Sequence, residues 1–206
     1  MISKRLDASR PGAIETAAQL LRQGEVIVFP TDTLYGVGVD AFNAAAIERL
    51  YQVKERTLDK GIPVLLGDIA DLVQVAVGVP PLAQQLAARY WPGPLTLIVP
   101  RHPNLPANTS PGNTVAVRVP NHPVAQALIR AAGGAVATSS ANRSGEPGAQ
   151  TAEAALAALT GRVAAVLDGG PVQHGISSTI LDCTVDQPRL LRQGPIPAGA
   201  LLPEAP

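Results

Sequence analysis

The sequence predicts an α/β layered fold, a twisted mixed parallel and antiparallel sheet flanked by helices. Two observations point there. Short β-branched runs alternate along most of the chain with Ala/Leu-rich helical stretches. The last two apolar runs, STILD (178–182) and RLL (189–191), follow one another with no helix between them, so antiparallel pairing joins the parallel kind. At 206 residues and 46% hydrophobic composition the chain can bury a sizeable core, as one domain over 1–206 with its core at about 10–195.

Residues 13–23 (AIETAAQLLRQ) put Ile14, Ala17, Ala18 and Leu21 on one helical face, and Gly24 is the stop at C′. VIVF at 26–29 is a strand. Asn43 caps a helix that carries Ile47, Leu50 and Tyr51. PVLL (63–66) is a strand, and 80–91 is a helix opened by Pro. TLIV (96–99) and TVAVRV (114–119) are strands separated by a Pro/Asn loop. Residues 123–132 are helical, AVAT (135–138) is a strand, 151–159 a helix and VAAVL (163–167) a strand. No internal repeat, low-complexity tract or linker interrupts this order, and the tail 196–206, within PIPAGALLPEAP, is expected to be loose.

Composition excludes several classes. Sixteen Lys+Arg balance sixteen Asp+Glu, which argues against a generic nucleic-acid coat but leaves room for a local basic pocket. The single cysteine, Cys183, rules out an internal disulfide framework or a multi-Cys zinc site and is read as a small buried hydrophobe. MISKRLDASRPG lacks the apolar core of a signal peptide. The longest uncharged stretch, Leu72 to Ala88, holds three Gln and two adjacent Pro and cannot span a membrane. A soluble, cytoplasmic protein is expected.

Hydroxyl, amide and glycine residues collect directly after strands. Thr31-Asp32-Thr33-Leu34-Tyr35-Gly36 follows VIVFP, Thr138 to Gly145 (TSSANRSG) follows AVA, and Asp168-Gly169-Gly170 follows VAAVL. Ligands of open α/β sheets bind beyond the carboxyl ends of strands, so the three clusters suggest one site built from three loops. Each alone is equally well a turn. Lys54-Glu55-Arg56-Thr57-Leu58-Asp59-Lys60-Gly61 carries three cations out of a helix end into a loop, as a dipole complement and solvated loop or as a basic pocket. In TVAVRVP, Val115, Val117 and Val119 share one face, which sets Arg118 on the other with Ala116. An Arg in an apolar strand requires a partner. An internal carboxylate and a ligand carboxylate or phosphate held bidentately both satisfy it. Arg192 in RLLRQG poses the same question.

The familiar catalytic signatures are missing. There is no GxxxxGK[ST] loop, no GxGxxG, HExxH or CxxC, and no GxSxG elbow; His102, His122 and His174 are widely separated. The residues alone support a pocket for an anionic ligand rich in hydroxyl and backbone donors, and they leave the reaction unnamed.

Six segments taken together, PTDTLYGVGVDA, KERTLDKGIPVLL, WPGPLTLIV, TVAVRVP, TSSANRSGEP and GISSTILD, resemble the YrdC-like family of threonylcarbamoyladenylate synthases, in the family's order, from about Gly24 to Gly194. The resemblance is to the short, single-domain form. It implies formation of threonylcarbamoyl-AMP and pyrophosphate from L-threonine, bicarbonate and ATP, with Mg²⁺ carried on the ATP phosphates and no metal ligand from protein side chains. It implies that the product serves N6-threonylcarbamoyladenosine formation at tRNA position 37 through a separate tRNA-threonylcarbamoyl transferase complex. Lys54 and Arg56 match the basic segment and are implied to be catalytic. With Lys60, Thr114, Ser140, Asn142 and Arg192 they are implied to bind ATP. Thr33, Tyr35, Arg118, Thr138 and Ser178 match threonine positions, with Arg118 the partner of its carboxylate. Thr57 departs from the Pro that many relatives carry after the basic Arg; it leaves φ free where Pro would preset it, and keeps the cations.

By this resemblance no nucleophile is required of the protein, and catalysis is positioning plus charge stabilisation. The alternative is an RNA-binding module of the same fold, with direct tRNA or RNA contact and no such catalysis. A carbamoyl-transfer domain of hydrogenase maturation is a further rival, as is a nucleotide-binding regulator, and no segment here matches the additional portions of the carbamoyltransferases.

Overall fold

The computed structural model describes residues 3–143 and 145–202. Ser144 of the hydroxyl-rich cluster and residues 203–206 of the tail lie outside the described residues.

In chain order the elements are β1 (Lys4–Asp7), α1 (Ala13–Arg22), β2 (Ile27–Phe29), β3 (Gly36–Asp40), α2 (Ala44–Lys54), β4 (Val64–Leu66), the short α3 (Leu72–Val75) and α4 (Pro81–Tyr90). They continue with β5 (Leu95–Pro100), β6 (Thr114–Arg118), α5 (Pro123–Ala132), β7 (Ala135–Ser140), α6 (Ala152–Leu159), β8 (Ala165–Asp168), β9 (Thr179–Asp182) and β10 (Arg189–Arg192). Local signals act as read. Asn43 accepts the Ala46 N–H at 3.0 Å to start α2, Thr151 does the same for α6 from Ala154 at 3.2 Å, and Gly24 takes φ +80° after α1.

The ten strands form one mixed sheet in the order β1-β8-β2-β3-β7-β4-β6-β5-β9-β10. β1/β8, β8/β2, β4/β6 and β5/β9 are parallel; the other neighbours are antiparallel. Period-2 alternation then decides which side chain meets which layer. Ile27, Phe29, Leu65, Val136, Ala165 and Leu167 face α1 and α5. Val28, Val64, Leu66, Ala137 and Val166 belong to the larger core on the opposite face, with Ile47 and Leu50 of α2, Leu86 of α4 and Ala155 of α6.

α1 and α5 reach only as far as β4. Beyond it, among the described residues, the same face of β6, β5, β9 and β10 carries no helix, and this half of the sheet becomes the floor of a cleft.

Two strands escape a reading of apolar runs. β1 is a charged four-residue edge strand. β3 (GVGVD) alternates Gly with Val and so shows half the usual apolar signal. The glycines are required by close approach. A Cβ at Gly38 would lie 2.8 Å from Val136 Cγ1 and 2.9 Å from Thr138 Oγ1, the side chains on the facing strand β7. Gly38→Ala should therefore lower stability by about 1–3 kcal/mol, read as a fall in the urea midpoint with an unchanged slope.

The expected bounds of the core also need correction. β1 pairs with β8 outside the range 10–195, while Ile196 and Leu201 are buried in the larger core and Tyr90 Oη donates to the Ala200 carbonyl at 3.0 Å. The described part of the tail is packed, because Ile196 and Leu201 cap the end of the core with Leu202 against it. Among the described residues no helix is long and apolar enough to cross a membrane. Cys183 is buried and free, its thiol pushed up to about 11 by burial and by Asp182.

Candidate functional site

The uncovered face of β6, β5 and β9 presents Thr114, Ala116 and Arg118, then Thr96 and Ile98, then Ser178 and Ile180, to an open cleft of about 540 Å³. The registers place these side chains together: Arg118 lies opposite Leu65, Ala116 opposite Ile98, and Ile180 opposite Thr96. The walls are the segments after β2 (Thr31, Thr33, Leu34), the end of β7 (Thr138, Ser139, Ser140), the 56–63 loop with Arg56 and Asp59, and Arg192 of β10. Of the residues expected in a site, Thr33, Tyr35, Arg56, Thr114, Arg118, Thr138, Ser140, Ser178 and Arg192 border this one cleft. Lys54, Lys60 and Asn142 do not.

Arg118 is 4% exposed. Its Nε donates to the Gly93 carbonyl (2.9 Å), Nη1 to Thr33 Oγ1 (2.8 Å) and Nη2 to Asp32 Oδ1 (2.5 Å). Of the two partners open to it from sequence, the structure supplies the internal carboxylate, from a residue 86 positions away. Burial works against the guanidinium's charge, Asp32 supports it, and Arg192 opposes it as a neighbouring like charge. A guanidinium has five N–H groups, so three bonds leave two of this cleft-lining side chain without a partner among the described residues.

Asp32 is 1% exposed; its Oδ1 also accepts the Asn121 N–H at 3.0 Å, and its Oδ2 has no partner among the described residues. Arg192 donates from Nε to the Ser178 carbonyl (2.9 Å) and from Nη2 to Ser178 Oγ (3.1 Å), which in turn shares a 2.7 Å hydrogen bond with Thr96 Oγ1. Arg56 donates to the carbonyls of Lys60 and Gly61, both at 2.9 Å. Among the described residues neither Arg56 nor Arg192 forms an ion pair with a carboxylate.

Three of the expected residues, Lys54, Asn142 and Lys60, lie off the cleft wall. Lys54 is 4% exposed at the C-terminal end of α2. Its ammonium donates to the Ser140 carbonyl (2.6 Å), to Asn142 Oδ1 (3.1 Å) and to the Asn142 carbonyl. It ties down the chain after β7 and is not among the residues that border the cleft. Asn142 completes that knot, its Oδ1 accepting from Ser140 Oγ at 2.5 Å and its Nδ2 donating to the carbonyls of Arg143 and Glu146. Burial first, and Arg56 second, pull the Lys54 amine down to about 8. Lys60 is exposed on the loop and off the cleft wall.

Tyr35 borders the cleft, yet its hydroxyl points elsewhere, donating to the Gly170 carbonyl at 2.7 Å and accepting the Gly169 N–H at 3.3 Å. Burial pushes it up to about 12. The Asp168-Gly169-Gly170 cluster accordingly anchors Tyr35 and lines no part of the cleft, so two of the three post-strand clusters build the site and the third holds a wall in place. Thr96, Ser110 and Ser177 border the cleft without having been singled out. For Thr96 the signal was present, a hydroxyl in register with Ile98 on one face of TLIV.

Among the described residues no group of three or more His, Cys, Asp or Glu side chains converges to hold a metal ion.

Comparison with known proteins places this geometry. The Sua5_yciO_yrdC family model, described as telomere recombination, matches residues 19–194. The threonylcarbamoyl-AMP synthase of Bacillus subtilis is 45% identical over 185 residues, 89% of this chain and 54% of that protein. The threonylcarbamoyl-AMP synthase of Thiobacillus denitrificans is 40% identical over 176 residues, 84% of this chain and 93% of that protein. The crystal structure of P. abyssi Sua5 complexed with L-threonine superposes with a TM-score of 0.88 at 34% identity, over 93% of this chain and 57% of that one. The chain thus spans little more than half the length of the Bacillus and Pyrococcus proteins.

Proposed function

The chain belongs to the Sua5/YciO/YrdC family, and from that premise we propose that it is an L-threonylcarbamoyladenylate synthase, a nucleotidyltransferase that consumes L-threonine, bicarbonate and ATP. One observation carries the reading. Arg118 borders, beside Thr33, a cleft where two more guanidiniums, Arg56 and Arg192, form no ion pair with a carboxylate among the described residues. That arrangement suits one carboxylate-bearing amino acid next to a polyphosphate. The printed names of the relatives and the threonine complex of the Pyrococcus protein support it.

In the proposed site Arg118 and Thr33 hold the threonine carboxylate, and Thr138 and Ser178 read its side-chain hydroxyl. Arg56 and Arg192 receive the phosphates, while Thr114 and Ser140 border the nucleotide. Lys54 and Asn142 act from behind as positioning residues that hold Ser139 and Ser140, and Tyr35 stiffens the wall. The threonine amine adds to the carbon of bicarbonate, losing water, to give a carbamate. A carbamate oxygen then forms a bond to the α-phosphorus as the bond to pyrophosphate breaks. Arg56 and Arg192 stabilise the charge that develops on the leaving group. Mg²⁺ bound with ATP supplies further neutralisation of the phosphates. Asp59 is the one carboxylate on the cleft wall among the described residues, so the donor set fits an ion held chiefly by phosphate oxygens and water. The product would be passed, in the cytoplasm, to a tRNA-threonylcarbamoyl transferase complex for position 37.

The test is pyrophosphate release from ATP with bicarbonate and Mg²⁺, comparing amino acids. Threonine should support release together with an adenylated product by mass spectrometry. Valine should be rejected by about 10⁴-fold in kcat/KM, because it leaves hydroxyl-reading groups unpaired, whereas serine, lacking only a methyl, should lose about 10–200-fold. Comparable turnover of valine would refute a hydroxyl-reading pocket. ATP binding without pyrophosphate release, together with salt-sensitive RNA binding, would put the RNA-binding module in its place.

A further inference from the structure

The cleft of the proposed synthase must take two anions at once, a monovalent carboxylate and a highly charged triphosphate, and three guanidiniums face it. They are not equivalent. Arg118 alone is paired with a carboxylate, at 2.5 Å, with both side chains almost fully buried. Arg192, its like-charged neighbour, donates only to the carbonyl and hydroxyl of Ser178, and Arg56 only to backbone carbonyls.

The Asp32 carboxylate is also odd. A buried carboxylate ordinarily has both oxygens satisfied, yet among the described residues Oδ2 of Asp32 has no partner, and an asparagine could place its amide nitrogen there without losing a hydrogen bond. Hydrogen-bonding geometry alone therefore does not require a charged residue at position 32. The negative charge itself needs a reason.

We propose that Asp32 sorts the two anionic substrates: by neutralising Arg118 it makes that subsite accept one carboxylate through hydrogen bonds while giving phosphate no net cation to follow. The triphosphate is thereby left to Arg56 and Arg192. This rests on the synthase reading of the cleft, and it names Asp32, which does not line the cleft, as a specificity-determining residue. A like-charge or missing-charge effect at this range is large enough to decide occupancy, since the pair is shielded from water.

The experiment is calorimetric titration of the full chain with L-threonine, without ATP, in the presence and absence of inorganic pyrophosphate. In the wild-type protein, pyrophosphate at concentrations that block ATP binding should leave the threonine Kd within about twofold. In Asp32→Asn, pyrophosphate should become competitive with threonine and bind at least about tenfold more tightly, one factor of ten in Kd. Competition already present in the wild type would overturn the sorting role. So would an Asp32→Asn protein that merely loses threonine affinity while its response to pyrophosphate is unchanged. The wild-type arm stands even if the variant fails to fold. Absence of any threonine binding to the wild-type chain would overturn the synthase reading itself and the sorting with it, an outcome distinct from threonine binding with pyrophosphate competition.

Discussion

Arg118→Ala is expected to lower folding stability by about 3–5 kcal/mol and to abolish threonine-dependent pyrophosphate release. The stability loss follows from the pair it breaks: Asp32 would be left buried at 1% exposure without its guanidinium, with only the Asn121 N–H donating to it. The activity loss follows from the proposed carboxylate contact. The two effects separate in a double variant. Arg118→Met combined with Asp32→Leu removes both charges and keeps volume, and should recover most of the stability, because apolar replacements of a buried ion pair are often neutral or better. It should recover none of the turnover. Urea denaturation and the pyrophosphate assay on the three proteins check this. A single variant that loses less than about 1 kcal/mol would mean that Asp32 does not carry a buried charge.

Lys54→Met should reduce turnover by about 10²-fold, the order expected when a supporting group shifts reactive positions by an ångström. It should leave the threonine Kd nearly unchanged, because the clamp acts on Ser140 and Asn142 and not on Arg118. A pH series sharpens the test. The ammonium has three donors for its three acceptors, whereas a neutral amine has two. With the folded-state value at about 8, turnover should fall above that pH in the wild type, and the fall should flatten in Lys54→Met. Stability moves the other way. The unfolded chain keeps the lysine proton up to its ordinary 10.5 while the folded chain releases it near 8. Between those values the unfolded state binds more protons, and this group makes the fold more stable as pH rises. Alkaline loss of activity without alkaline unfolding is the signature, read from rates beside thermal denaturation. A profile identical in Lys54→Met would show that another group controls the alkaline limb.

Much of the architecture was legible because its signals are local. Asn43 and Thr151 begin helices through hydrogen bonds to residues three positions on, and Gly24 ends one through its own backbone freedom. The alternation in TVAVRV placed Arg118 opposite the valines, and the structure puts it on the cleft face with Thr114 and Ala116. β3 was not legible, since its glycines answer to Val136 and Thr138 a hundred residues away. Lys54 was legible as a cation but not as a clamp. Its direction depends on α2 ending behind the segment that follows β7, and nothing in KERTLDK encodes that.

The sequence by itself determined the element order apart from β1 and β3, most of the buried faces and the inventory of hydroxyl and guanidinium groups, because helix caps and periodicities of 2 and 3.6 act over a few residues. Only the tertiary structure decided which cations face the cleft and which are neutralised. The spacings from Asp32 to Arg118 and from Lys54 to Asn142 are 86 and 88 residues. The sheet order β3-β7-β4-β6 closes those distances, and a charge's role depends on what is brought within a few ångströms of it and on how little water remains there.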